Sequence, residues 1–314
     1  MKKLSLFLLL VFSFPLFATI EKYLKQTTDK YNNHKIKNID FIYIINLDQR
    51  PEKWNRSLEQ LLIYGICPYR FSAVNGWELS LEAINDIGVQ FTPGMIGDFM
   101  GTSYHLDGNF APSHEKIQNY GQTYFSHCMA RGAIGIVLSH LSVLQDAYDS
   151  GYERIWVMED DIEILSDPKI LPELIDQLNH LVGKNNWDIL FTDQDTKNAQ
   201  GIRIPCYGIA KRPNFNPGNS NQYAKRSNVG HTFRKIGARF GAYSMIIQRS
   251  GMKKILDFFK TYKIFLPYDM DFFSAPNIQM FTVQKDIVGN MLNALSDNGG
   301  PNYLHANKVS APSE

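Results

Sequence analysis

Hydrophobic positions along the chain first form an unbroken block at residues 41–47, F-I-Y-I-I-N-L. A run of aromatic and β-branched residues without polar alternation predicts a strand buried on both faces, as in parallel sheets. Pro51 suits the first turn of a helix. Trp54, Leu58, Leu61 and Leu62 follow at helical spacing, and Gly65 stands where a C-cap belongs. A second strand is expected at 69–74, ending in the turn signal Asn75-Gly76. Strand, helix and strand in this order open a nucleotide-binding half-sheet.

Residues 89–131 carry Gly, Pro, Asn and His with little periodicity and read as a long loop. Regularity returns with Ile134, Val137, Leu138, Leu141, Leu144 and Tyr148 on one helix face, with Ser139, Ser142, Asp146 and Asp149 off it. Gly151 ends that helix. A short strand at 154–158 then runs directly into Glu159-Asp160-Asp161. Leu171, Leu174, Ile175, Leu178 and Leu181 are in phase for a helix, and 188–191 for a strand. Residues 195–239 form a second irregular stretch, 242–247 a strand, and Ser250 can cap a helix carrying Met252, Ile255, Leu256, Phe259 and Tyr262. Beyond Pro267 the pattern weakens, and 301–314 reads as a tail. The prediction is an α/β fold: one domain over 40–300, a mostly parallel central sheet, and loop insertions at about 89–131 and 195–239.

Composition narrows the function classes. The chain has 314 residues, 44% hydrophobic and 20% charged, with a formal net charge of +1. That balance excludes a disordered chain and gives no basic excess for nucleic acid. Cys67, Cys128 and Cys206 are too few and too scattered for a disulfide framework or a cysteine zinc site. Lys2 and Lys3 precede an apolar run from Leu4 to Ala18, the layout of a signal peptide or a short membrane anchor, and 19–39 reads as a polar linker. The expected location is therefore the secretory pathway or a membrane surface. Lysines on both flanks of the run leave its orientation open.

The sharpest chemical feature is Glu159-Asp160-Asp161. Three adjacent carboxylates at a strand's C-terminal end stand where α/β sheets place ligands. Their repulsion and desolvation are relieved by a cation, and hard oxygen ligands suit Mg²⁺ or Mn²⁺ bridging to a diphosphate. Two D-x-D pairs compete: Asp193 with Asp195 as a runner-up metal site, and Asp269 with Asp271, either of which could serve as a general base. The first insertion carries His105, His114 and His127. The second carries Lys211, Arg212, Lys225, Arg226, Arg234, Lys235 and Arg239, read as a solvated surface with a phosphorylated acceptor as the alternative.

The segments I-Y-I-I-N-L-D-Q-R-P-E-K-W, F-S-A-V-N-G, G-A-I-G-I-V-L-S-H, W-V-M-E-D-D, G-A-Y-S-M-I-I-Q-R-S-G and P-Y-D resemble, in order, the motifs of glycosyltransferase family 25. The resemblance runs from about Phe41 to Phe273 and implies a GT-A-like fold with a metal-binding acidic motif. It implies a UDP-sugar donor, UDP-galactose first, and a glycan or glycolipid acceptor such as lipopolysaccharide. It places Asn46, Arg50 and Lys53 at the nucleotide, Asn75 and Gly76 near the base or ribose, and Ser139 and His140 along the donor site. Glu159, Asp160 and Asp161 fall to the metal, and Gly241 and Tyr243 beside sugar and acceptor. Asp269, with Asp271 second, becomes the general base of an inverting transfer. Two rival readings are a metal-dependent phosphatase or nucleotidyltransferase, for which no Gly-rich phosphate loop is found, and a non-catalytic glycan-binding or surface protein on the same scaffold.

Overall fold

The computed structural model describes residues 20–31, 33–107 and 110–306. The apolar segment 1–18 lies outside them. Among the described residues no helix is long and apolar enough to cross a membrane.

The opening follows the hydrophobic pattern: β1 (Phe41–Asn46), α1 (Pro51–Leu62) and β2 (Tyr69–Ser72). Every residue of β1 is buried, Pro51 takes the first helical position, and Gly65 adopts a positive φ of 71° in the turn after α1. Next come α2 (Leu81–Ile87), β3 (Val89–Gln90), β4 (Met100–Ser103), β5 (Ser113–Lys116) and β6 (Thr123–Ser126). These four strands form their own antiparallel sheet in the order β3-β6-β4-β5. The loop expected at 89–131 is thus corrected to a small sheet. Its strands are two to four residues long, too short for a period to register.

The long helix α3 (Arg131–Asp149) is followed by β7 (Arg154–Glu159), β8 (Ile162–Ile164), α4 (Leu171–Val182) and β9 (Ile189–Phe191). The second insertion is also partly ordered, because β10 (Arg226–Val229) and β11 (Phe233–Ile236) pair at one edge of the main sheet. Then come β12 (Ser244–Gln248), α5 (Arg249–Tyr262), α6 (Tyr268–Asp271), β13 (Met280–Val283), β14 (Val288–Asn290) and α7 (Tyr303–Ala306). Ser250 does not cap α5. The helix starts at Arg249, and the Ser250 hydroxyl donates to Asp188 Oδ1 at 2.6 Å.

The main sheet has the order β10-β11-β13-β9-β12-β7-β1-β2. It is mixed rather than mostly parallel: β1/β2, β1/β7 and β9/β13 are parallel, and the remaining pairings are antiparallel. One apolar cluster fills the face under α3 and α5, and another the face toward α4. The reversal that matters is β12, which runs opposite to both β7 and β9. Ser244 therefore pairs with Met158, and the residues just before β12 arrive at the same sheet end as Glu159.

The polar stretch at 19–39 is fastened to the domain along part of its length. Lys25 N donates to Ser142 Oγ at 2.9 Å, Lys30 pairs with Asp146 at 2.9 Å, and Asn33 bridges to Cys67.

Candidate active site

Glu159 is the last residue of β7, and its amide donates to Tyr243 O at 2.9 Å. Asp160 is drawn toward the loop after β1. Its Oδ2 accepts from Asn46 Nδ2 at 2.6 Å, and Lys53 Nζ lies 3.7 Å from Oδ1. Burial pushes the Asp160 carboxyl upward, opposed by Lys53 and Asn46. Asp161 has less relief: burial, then Glu159 and Asp160, push it up to about 7. Ionising Asp160 and Asp161 together beside Glu159 is therefore unfavourable in this setting.

The facing wall is built by α3 against the turn after β2. Asn75 Oδ1 accepts from Trp77 N at 3.1 Å and shapes the turn. Gly76 is packed so closely that an added Cβ would lie 1.8 Å from Arg131 O, and one on Gly135 would lie 2.5 Å from Gly76 N. Ser139 ties the same parts together, accepting from Val74 N at 2.8 Å and donating to Gly135 O at 2.7 Å. His140 is buried; its Nε2 is hydrogen-bonded to Glu159 Oε1 at 2.9 Å, and its ring stacks on Tyr268 with centroids 4.1 Å apart. One pocket is lined by Lys53, Asn75, Gly76, Ser139, His140, Glu159, Asp160 and Asp161, all singled out in the sequence.

Asp269 stands at the start of α6, partly exposed, with Oδ2 accepting from Gly241 N at 2.9 Å. Burial raises its pKa and the Gly241 hydrogen bond lowers it, while the Glu159 charge adds to the rise. Asp271 differs. It is fully buried and ion-paired with Arg212, itself buried, so it has no path to a substrate hydroxyl. Tyr243 also turns its hydroxyl away from the pocket, donating it to Asp193 Oδ2 and accepting from Arg239 Nη2 at 2.7 Å.

The runner-up acidic pair is therefore neutralised by arginines. Asp193 pairs with Arg239 at 2.5 Å, and Asp195 with Arg226 at 2.9 Å and Arg234 at 3.6 Å. The insertion's cations are correspondingly not one solvated surface: Arg212 and Arg239 are each 1% exposed, whereas Lys211, Lys225 and Lys235 are exposed. His105 lies 3.5 Å from Glu115, His114 meets Thr102, and His127 is exposed. All three cysteines are free.

Arg50 is committed elsewhere than expected. Its Nε and Nη2 donate to the two carboxylate oxygens of Asp297 at 2.7 and 2.8 Å. Asp297 O in turn accepts from Trp77 Nε1 at 2.8 Å, and residues 296–298 line the pocket beside Trp77. Asn75 Nδ2 reaches Tyr303 OH at 3.0 Å. This wall was missed in the sequence because nothing in S-D-N signals a partner more than two hundred residues away. The bidentate demand of an arginine after a strand was the only clue.

Among the described residues no three His, Cys, Asp or Glu side chains converge in ligating geometry. A divalent ion on a diphosphate takes phosphate and water oxygens for most of its shell and needs only one or two carboxylates. The donor set here fits that smaller demand: Asp161 accepts no hydrogen bond from another described side chain, and its raised pKa marks charge that a cation would relieve.

The sequence profile described as glycosyltransferase family 25 (LPS biosynthesis protein) matches residues 39–273. Among curated proteins, the chain is similar to a glycosyltransferase 25 family member of Aedes aegypti, 28% identical over 49% of this chain and 21% of that protein. It is also similar to one of Drosophila melanogaster, 26% identical over 54% and 23%. A third, the human inactive glycosyltransferase 25 family member 3, is 25% identical over 51% and 23%. The matched stretch thus spans less than a quarter of the length of each of these relatives.

Proposed function

The chain belongs to glycosyltransferase family 25, and we propose that it transfers a hexose, galactose first, from a UDP-sugar to a hydroxyl of a glycan or glycolipid such as lipopolysaccharide, with inversion. The observation that carries this reading is the single pocket in which the acids ending β7 meet Lys53, the Asn75-Gly76 turn and His140, with Asp269 alongside. The acceptor oxygen attacks the anomeric carbon while its proton passes to Asp269, and the bond to UDP breaks. Asp269 suits the part because burial makes it more basic than an exposed carboxylate. Lys53 offers charge to the diphosphate, and His140 fixes the Glu159 carboxylate. A divalent ion, Mn²⁺ or Mg²⁺, held by Asp161 and Glu159 would supply further positive charge to the leaving group. Residues 1–18 act as a signal or anchor that puts this domain at a membrane or in the secretory pathway, on a side that holds the sugar donor.

The word "inactive" in the human relative's name favours one second reading, a glycan-binding protein on the same scaffold. UDP release from a panel of UDP-sugars, by protein lacking residues 1–18, separates the two. The expected result is release selective for one sugar, dependent on Mn²⁺, abolished by EDTA and reduced about 100-fold or more in Asp161→Ala. The absence of both release and UDP binding, from folded protein, would instead sink the transferase reading and support the second.

A further inference from the structure

Asp193, Asp195, Arg212 and Arg239 are left unused by the reaction above, yet all four are buried. Residues 239–243 form a bridge between the two sides of the site. At one end Tyr243 O accepts from Glu159 N at 2.9 Å, and in the middle Gly241 N donates to Asp269 Oδ2 at 2.9 Å. The bridge is tight: Gly241 has a φ of 78°, and an added Cβ would lie 2.5 Å from Thr196 Oγ1 and 2.6 Å from the Tyr243 ring. Both of its ends are bolted from beneath. Arg239 and Tyr243 close a three-membered network on the Asp193 carboxylate, just past the end of β9. Thr196 donates to Phe240 O. On the far side of Asp269, Asp271 is sealed against Arg212, whose Nη2 also donates to Tyr262 O and Lys263 O at 2.6 and 2.8 Å.

We propose that the Asp193–Arg239–Tyr243 network is a positioning device for the general base, holding the Gly241 amide where it fixes Asp269 relative to Glu159. Tyr243, placed beside the sugar by the family resemblance, then acts through Gly241 rather than on the substrate. A buried ionic network of this kind adds little net stability compared with apolar packing of the same shape, but its directed hydrogen bonds tie Arg239 and Tyr243 to one carboxylate. A base that must meet a hydroxyl in line with a leaving group needs such fixed placement.

The inference rests on the transferase reading, so the experiment first establishes wild-type turnover with the preferred UDP-sugar and Mn²⁺. Tyr243→Phe keeps the ring and removes the hydroxyl that closes the network. The expected result is a fall in kcat of about tenfold to a hundredfold, since a misplacement on the order of 1 Å costs that much. The donor KM and the Kd for UDP should stay within about twofold, because none of Asp193, Arg239 and Tyr243 lines the pocket that holds Lys53 and the three acids. Thr196→Val, which frees Phe240 O in the same bridge, should lower kcat in the same sense and serves if Tyr243→Phe fails to fold. Unchanged kcat in both folded variants overturns the proposal, as does a raised KM with kcat intact, which would assign the network to donor binding. Failure of the wild type to release UDP from any sugar overturns the transferase reading itself, and is distinguishable because it appears before any substitution is made.

Discussion

Asp269 and Asp271 are separated by a single methionine, and the structure gives them opposite fates. Asp271 is fully buried on Arg212, while Asp269 keeps a partly exposed carboxylate on the Gly241 amide. The D-M-D pattern made both acids visible as candidates, but their separation depended on an arginine in a distant, irregular stretch whose charges read as a solvated surface. The same holds for Asp193, whose neutralising partner Arg239 is 46 residues away. Charge type and local strand ends are legible in a sequence; ion pairing across an insertion is not. The two acids should accordingly fail in different ways. Asp269→Asn should lower turnover by about 10²–10⁴-fold, the usual worth of a general base, while the denaturation midpoint stays close to wild type. Asp271→Ala leaves the Arg212 guanidinium buried without its counter-charge and should cost roughly 3–5 kcal/mol of stability. Urea denaturation and UDP release on the same preparations check both, and wild-type turnover by Asp269→Asn would remove it from the mechanism.

At the scale of elements, periodicity found what is long or fully buried. Strand β1, helices α1, α3, α4 and α5, and the strand leading into the acids lie where the hydrophobic spacing put them. It missed β13, M-F-T-V, because four residues flanked by weak pattern carry no period, although this strand sits between β9 and β11. It also could not supply direction, since the side chains of a buried strand read alike whichever way it runs. Hence the reversal of β12 was invisible, and with it the reason residues 241–243 reach the acids. The N-G and G-A-I-G segments were read as family motifs, and the structure supplies their physical meaning. Gly76 and Gly135 let the turn after β2 lie on the first turns of α3 with backbone against backbone. That contact fixes the sign of a substitution. In an exposed helix interior Gly→Ala stabilises by roughly 1 kcal/mol. In Gly135→Ala the new Cβ would sit 2.5 Å from both Gly76 N and Val74 O, atoms that cannot move aside as a side chain does. Gly135→Ala should therefore destabilise by about 1–3 kcal/mol and weaken UDP binding by opening the turn. A variant more stable than wild type in urea denaturation would show that the two backbones are not in this contact.

At the scale of the whole molecule, the part of the chain that matches the family profile is not a self-sufficient unit. The match ends at residue 273, before β13 and before the segment 296–298 that walls the pocket beside Trp77. Removing β13 would split the sheet, detaching the β10–β11 pair and exposing the β9 edge. Phe281 and Val283, both 1% exposed, would leave the core with it. The pocket is tied to the same C-terminal part by the bidentate pair of Arg50 with Asp297, both buried, and by the Trp77 and Asn75 hydrogen bonds to Asp297 O and Tyr303. A fragment of residues 39–273 should therefore lack a cooperative unfolding transition. The chain ending at 306 should retain one, because β13, β14 and the Asp297 wall are restored. Within the full chain, Asp297→Ala should leave the sheet intact yet weaken UDP binding by roughly tenfold, since Arg50 and the Trp77 side of the pocket lose their common anchor. If Asp297→Ala instead bound UDP more tightly, the arginine would have been held back from the diphosphate by Asp297. Residues 296–298 would then be a competitor for the donor rather than a wall around it.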